Sequence, residues 1–452
     1  MDKEFRDGTV NGVTLGQTPA TPFTVPSSHL QMKSLYLRMK RMWTPAHAPI
    51  ALLLLTLPLT LYASIWPEIT RVAVAWLLLD IAVFYAVFLW ARTERRLRLS
   101  AFLLVMAGLA LALIAPFGVD WIEDAKGFLN FSPIYAAIPR LMDERIHPNI
   151  LAGALAAVLP LAMSLMFPPG TEDRGSPILR RLLPVVCGLS FVVMLAVLIL
   201  TKSRGAWLGT AVGLGIVLIC RWPRLRWPAL ALVALLLIAG LIIGPARVAQ
   251  ALAAAPVVGG WEGRLELWSR ALEAVADYPF TGIGMGTFDH VVPLRYPYVL
   301  LAGAELAIPH AHNLFLQVAV DLGLPGLIAF VALLGLVLAA AVQSARAWAG
   351  AQALALQVTG LAAGLVAVLV HGLLDAASWG SKPAVFIWAL MGLIMAHQAV
   401  SRNAVPPLPR YRRLTARLEE GVGDEGLSRI AFTWRASWTY ANIGQFSGAG
   451  RG

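Results

Sequence analysis

Charge is scarce in this chain. Charged side chains make up 13% of the residues, where a soluble protein carries roughly a quarter. With 58% of residues hydrophobic, this composition excludes an ordinary soluble domain, and length does not set the domain count. Cysteine is almost absent. Cys187 and Cys220 both lie in or at the ends of apolar runs. They read as free thiols, with no disulfide framework and no cysteine-based metal site. Period-two alternation never runs long enough for a membrane barrel.

What the chain has instead is long apolar runs. A membrane span needs about 20 mostly apolar residues. About ten segments qualify or come close: 48–66, 70–91, 100–118, 149–167, 182–200, 206–220, 228–244, 325–345, 352–371 and 383–400. The predicted fold is therefore an all-α integral membrane protein of about ten transmembrane helices. The sixth segment is short, and its Gly209, Gly213 and Gly215 predict close helix packing.

The formal charge of +11 does not point to nucleic acid. The arginines sit in short clusters between apolar runs, as in cytoplasmic loops. One cluster is Arg92, Arg95, Arg96 and Arg98, a second Arg174, Arg180 and Arg181, a third Arg221, Arg224 and Arg226. Lys40 and Arg41 precede the first span, and Arg402, Arg410, Arg412, Arg413 and Arg417 follow the last. All fall on even crossings, which predicts both termini in the cytoplasm. Residues 1–43 are polar and predict a disordered cytoplasmic N-terminus. The first seven spans fill 44–244. A large outward loop with short interfacial helices covers 245–324, the last three spans 325–400 and a basic cytoplasmic tail 401–452.

The outward side then holds the reactive side chains. Lys202 and Arg204 break the positive-inside pattern. Arg204 is either a snorkelling residue among lipid headgroups or an anion ligand, since a guanidinium fork suits two phosphate oxygens. Trp261, Leu265 and Trp268 share one face of an amphipathic helix with Arg264 beside it. They read as an interfacial anchor, with Arg264 a second anion contact. The run Gly282-x-Gly284-x-Gly286 follows no parallel strand, so it is an irregular turn rather than a nucleotide fingerprint. Asp80 lies within the second span and is expected to pair internally or line a cavity.

Pro309-His310-Ala311-His312-Asn313 stands where the long loop meets a span. His310 and His312 could share a face of an extended segment and bind metal with Asp289 or His290, but no third ligand has diagnostic spacing. The sharper reading makes His312 a general base near neutral pH. Asn313 reads as a helix cap. His371 and Asp375 are four apart and read as a hydrogen-bonded pair. Arg145, in the 119–148 loop, joins the supporting candidates with Lys202, His310, Asn313, His371 and Asp375.

With these residues in place, the chain resembles the O-antigen ligase and polymerase superfamily of bacterial envelope enzymes over about 145–395. His312-Asn313, nine residues, then Gly323 and Gly326 looks like the His-Asn-x9-Gly-x-x-Gly signature of the ligases. Arg204-x3-Leu208 looks like their Arg-x3-Leu element. The Arg264/Trp268 helix, the Asp277-to-Gly284 turn and His147-Pro148-Asn149 look like further family features. The resemblance implies metal-independent, cofactor-free, inverting glycosyl transfer at the periplasmic face of the inner membrane. The donor would be a glycan on undecaprenyl pyrophosphate. The acceptor would be a lipid A-core sugar in a ligase, another glycan in a polymerase, or a protein side chain in the related oligosaccharyltransferases. His312 would be the base, and Arg204 and Arg264 would hold the pyrophosphate. The alternatives are a transporter of the same lipid-linked glycan, which should carry paired charges or broken helices at mid-membrane, and a non-catalytic assembly subunit.

Overall fold

A computed structural model describes residues 44–121, 130–143, 145–167, 177–244, 247, 261–301, 308–376 and 379–404. The polar segment 1–43, most of 245–260 and the tail from 405 lie outside the described residues.

Every predicted span is a helix. In chain order they are α1 (His47–Ala63), α2 (Pro67–Trp90), α3 (Glu94–Ile114), α5 (Pro148–Met166), α6 (Pro177–Leu200), α7 (Arg204–Arg221), α8 (Arg226–Ile243), α11 (Leu314–Ala347), α12 (Gln352–Gly372) and α13 (Val385–Ala404). Between them lie the shorter α4 (Ser132–Ala137), α9 (Trp261–Asp277) and α10 (Phe288–Arg295). Among the described residues, nine helices are long and apolar enough to cross a membrane, and α1, with 17 residues, is the shorter tenth. The chain is an all-α integral membrane protein.

The helices are not equally placed. α5, α12 and α13 are mostly buried and form the centre, whereas no residue of α8 is buried. The predicted close packing at α7 is against α12. A Cβ on Gly209 would stand 2.2 Å from the Ala367 carbonyl oxygen, and one on Gly213 would stand 2.8 Å from that of Ala363. Only hydrogen at these positions lets the two backbones approach. Gly215 faces open space and takes no part.

α11 begins at Leu314, well before the apolar run that marks it in the sequence. Asn313 starts it there, its Oδ1 accepting from the amides of Phe315 and Leu316 at 3.0 and 3.1 Å. The helix is broken at Gly323, whose φ of 70° and ψ of −178° are not helical. A Cβ there would lie 2.6 Å from the Phe280 carbonyl carbon, and one on Gly282 (φ 67°) 2.4 Å from the Val320 oxygen. The break therefore accommodates the glycine-rich turn. Ile283 donates to the Val320 carbonyl at 2.9 Å and Leu324 to that of Pro279 at 2.7 Å. Residues 314–322 are thus a half-helix held against the turn, and the apolar half begins near Pro325.

α9 and α10 form a second small core with the histidine segment. Leu267, Ala271, Ala274, Phe288, Val291 and Val292 bury together with Ala311 and Val320. The buried face of α9 is Gly263, Glu266, Leu267, Ala271 and Ala274. Trp261 and Trp268 sit beside it, their rings edge to face at 5.6 Å, while Leu265 is exposed.

Candidate functional site

Four separate segments meet at one end of the bundle, the end where α12 finishes and α5 begins. The other end holds the described basic clusters: Gln357 near the start of α12 donates to the Leu97 carbonyl, and Arg221 lies over Phe167 just beyond α5. At the site, Asp375 is the centre. It is 2% exposed. Its Oδ1 is 3.6 Å from His310 Nε2 and its Oδ2 is 3.4 Å from His312 Nδ1. Asn149 Nδ2, in the first turn of α5, donates to the same Oδ2 at 2.5 Å. The separations to the histidines are long for hydrogen bonds. His147 caps α5, its Nδ1 accepting from the Asn149 amide at 3.2 Å, and thereby fixes Asn149 under Asp375.

Burial and the facing side chains together set the protonation states. Burial pushes His310 down to about 4, against the opposing pull of Asp375. It lowers His147 as well. Burial alone would raise Asp375, but the facing His312, His310 and His371 hold it well below the usual carboxylate range. At neutral pH His310 is therefore neutral and Asp375 is an anion.

His312 has a φ of 49°. Histidine enters the left-handed region more readily than most residues, yet such a conformation still costs on the order of 1–3 kcal/mol and needs support from its surroundings. The flanking residues supply it. Ala311 donates to Gln317 Oε1 at 2.8 Å, and Asn313 Nδ2 donates to the Leu373 carbonyl at 3.2 Å. Among described non-glycine residues, the other positive φ is at Lys202, 53°. Both strained residues were singled out in the sequence.

Arg204 opens α7 and is exposed. A cation at the positive end of a helix dipole is poorly placed for stability, but with the free amides there it suits an anion. Arg264 is half-buried, its Nε without a hydrogen-bond partner among the described residues. Burial lowers its pKa, Asp375 opposes this and Arg204 adds to it. Arg264 therefore lies within electrostatic reach of both Asp375 and Arg204. Lys202 Nζ lies 5.6 Å from the Tyr135 ring centroid. Arg145 is largely exposed and 3.5 Å from Asp120, and Arg140 approaches the same carboxylate at 3.1 Å.

Two expectations change. His371 does not pair with Asp375: α12 ends at Gly372, and both ring nitrogens of His371 are buried without a hydrogen-bond partner among the described residues. Instead its ring packs within reach of Gly153 and Gly205, so Gly205 approaches α12. Asp289 and His290 do not join His310. They bond each other at 2.6 Å, with Trp66 against the imidazole. The residue that joins the two histidines is Asp375, and one donor atom from each of the three lies within 4.8 Å of the others. That spacing would admit a metal ion, although two neighbouring guanidinium groups disfavour a dication.

A buried carboxylate that sequence reasoning passed over is Asp321 in α11. Its Oδ1 accepts from Gly286 N at 3.2 Å and Gln317 Nε2 at 2.9 Å, and its Oδ2 from Trp379 Nε1 at 2.8 Å. Asp80 is buried too, its Oδ2 without a hydrogen-bond partner among the described residues. α11 is thus a broken helix with an acid beside the break, a feature set out above for a transporter. The partners of Asp321, however, are all neutral and fixed.

Fold and site together define a multi-pass membrane protein with a histidine, carboxylate and arginine centre at one end of a helical bundle. Residues 189–331 match the family model described as O-Antigen ligase. The matched segment contains Arg204, Arg264, His310, His312, Asn313 and the Gly323 break. No curated protein matches the chain. A chain in the solved structure described as "Structural coordination of polymerization and crosslinking by a peptidoglycan synthase complex" is 20% identical, with 80% of this chain and 98% of that chain covered and a TM-score of 0.42.

Proposed function

We propose that this protein is a ligase-type glycosyltransferase that moves a glycan from undecaprenyl pyrophosphate to an acceptor hydroxyl, a lipid A-core sugar, at the periplasmic face of the bacterial inner membrane. The observation that carries the reading is the meeting of His312, Asp375 and Arg264 from three distant segments at one end of the bundle.

His312 is the base. With Nδ1 turned to Asp375, Nε2 is the nitrogen left to face an acceptor. It takes the hydroxyl proton as the acceptor oxygen attacks the anomeric carbon. The bond from that carbon to the pyrophosphate oxygen breaks, the electron pair leaves with undecaprenyl pyrophosphate, and the anomeric configuration inverts. Asp375 stabilises the imidazolium as it forms and Asn149 holds Asp375 in place. Arg264 and Arg204 bind the pyrophosphate and take up the charge that develops on it. The leaving group is already activated, so positioning and charge stabilisation supply most of the catalysis, without a metal. His310 faces Asp375 in this centre, and Lys202 and Arg145 are further proposed supporting residues.

The test is a strain lacking the protein, complemented with wild type or His312→Ala. The expected result is bare lipid A-core on a gel and long glycans accumulating on the lipid carrier, restored by wild type only. Purified, membrane-inserted His312→Ala should lose transfer by about 10²–10⁴-fold. Near-normal turnover would remove His312 from the mechanism. Single repeat units reaching the core without long chains would make the protein a polymerase instead. Unchanged transfer with a lost flux of lipid-linked glycan across the membrane would make it a transporter.

A further inference from the structure

The histidine segment is tied to the interior of α11 by a chain of hydrogen bonds. Ala311 lies between His310 and His312, and its buried amide donates to Gln317 Oε1 at 2.8 Å. A side-chain amide can point either way. Gln317 is oriented by its other end, where Nε2 donates to Asp321 Oδ1 at 2.9 Å. Gln317 and Asp321 are four apart on one face of the half-helix, so the pairing is local. Asp321 in turn is fixed by Gly286 of the glycine-rich turn and by Trp379 beyond α12. Thr60 of α1 closes the arrangement, donating to the Asp321 carbonyl at 2.6 Å and accepting from Met285 N at 3.0 Å. Asp321 and Gln317 are both buried.

The Ala311 amide can only donate, as can Gly286 N and Trp379 Nε1, which already face the Asp321 carboxylate. That forces Nε2 of Gln317 toward it and Oε1 toward Ala311. The result is an oriented acceptor one residue before the strained φ of His312. We infer that Gln317 and Asp321 are positioning residues for glycan transfer, a buried relay that holds the Ala311 amide and so keeps His312 in its left-handed conformation facing Asp375. The inference rests on the proposed role of His312. Gln317 touches no substrate and acts only through the backbone of the histidine segment.

The experiment uses full-length protein in lipid nanodiscs with a lipid pyrophosphate-linked glycan donor. Gln317→Leu removes both bonds of the relay. Its kcat should fall at least tenfold with the donor KM within twofold of wild type, because the arginines that bind the donor are untouched. Gln317→Glu restores an acceptor for Ala311, but its carboxylate must share a proton with Asp321. Its activity should therefore recover toward acid relative to wild type, a displacement of the pH profile that a residue of merely structural importance would not produce. Wild-type kcat per folded molecule in Gln317→Leu, or a raised KM with kcat unchanged, would overturn the relay. If Gln317→Leu does not fold, Asp321→Asn decides. It keeps the shape but sets an amide donor against Gln317 or Trp379, and should lower kcat several-fold without moving KM; unchanged kcat overturns the relay. His312→Ala in parallel separates the two ideas. If it is inactive while the relay variants are normal, only the relay fails. If it is active, the proposed base itself fails.

Discussion

Asp375 and Asp321 are the same residue type, each 2% exposed, and they do opposite things with their burial. Asp375 lies in a loop and faces groups that can gain or lose a proton, namely His310 and His312, with Arg264 within electrostatic reach. Asp321 lies inside a helix and faces two amides and an indole, none of which titrates. A buried carboxylate among titratable partners can shift charge as a reaction proceeds. One among neutral donors holds geometry, and its cost is offset by the bonds it fixes. A carboxylate's use is set by what faces it, and depth of burial alone does not tell the two apart.

Exchanging each acid for its amide is the sharpest way to break that comparison. Asp375→Asn removes the charge that stabilises an imidazolium on His312, and turnover should fall by about 10²–10⁴-fold, as when the orienting acid of a catalytic triad is lost. The loss at Asp321→Asn should be at least tenfold smaller. Equal losses, measured per folded molecule, would erase the distinction.

Acid comes next. His310 is pushed to about 4, below its unfolded value near 6.5, so between those pH values the unfolded chain binds the extra proton and stability falls as pH falls. Asp375, held below its ordinary value, acts in the same direction at still lower pH. Melting temperature should drop as pH is taken from 7 to 4.5, and His310→Asn should flatten the drop. Asp321→Asn should leave the contribution of His310 in place. A flat wild-type profile would contradict the neutral state of His310.

The smallest effect is expected at Arg204, which is exposed. Arg204→Lys replaces a fork with a point charge, and the donor KM should rise by about three- to tenfold with kcat less affected. An unchanged KM would reduce Arg204 to a headgroup contact.

Much of this was legible because membranes impose simple rules. Long apolar runs have to be helices, since nothing in lipid satisfies an open backbone, and all ten are helices. The His-Asn-x9-Gly-x-x-Gly pattern also reads physically: Asn313 caps α11 and Gly323 breaks it. What escaped was pairing across sequence. The four-residue spacing of His371 and Asp375 suggested a helical contact, but the helix ends between them. Asn149, 226 residues from Asp375, gave no local sign of its role beyond the His147-Pro148-Asn149 run. Asp321 sat in a stretch read as loop, because Gln317, Asp321 and Gly323 interrupt its apolar run before it is long enough to mark a span.

The sequence by itself determined the helices, the scarcity of cysteine chemistry and the side-chain types from which a base and anion ligands are proposed, because hydropathy, turn chemistry and side-chain type are local properties. Only the tertiary structure decided which acid faces the histidines, which glycines admit another backbone and which carboxylate holds the histidine segment. Those depend on the packing of segments far apart in the chain, where a buried polar group takes whichever partner the fold brings to it.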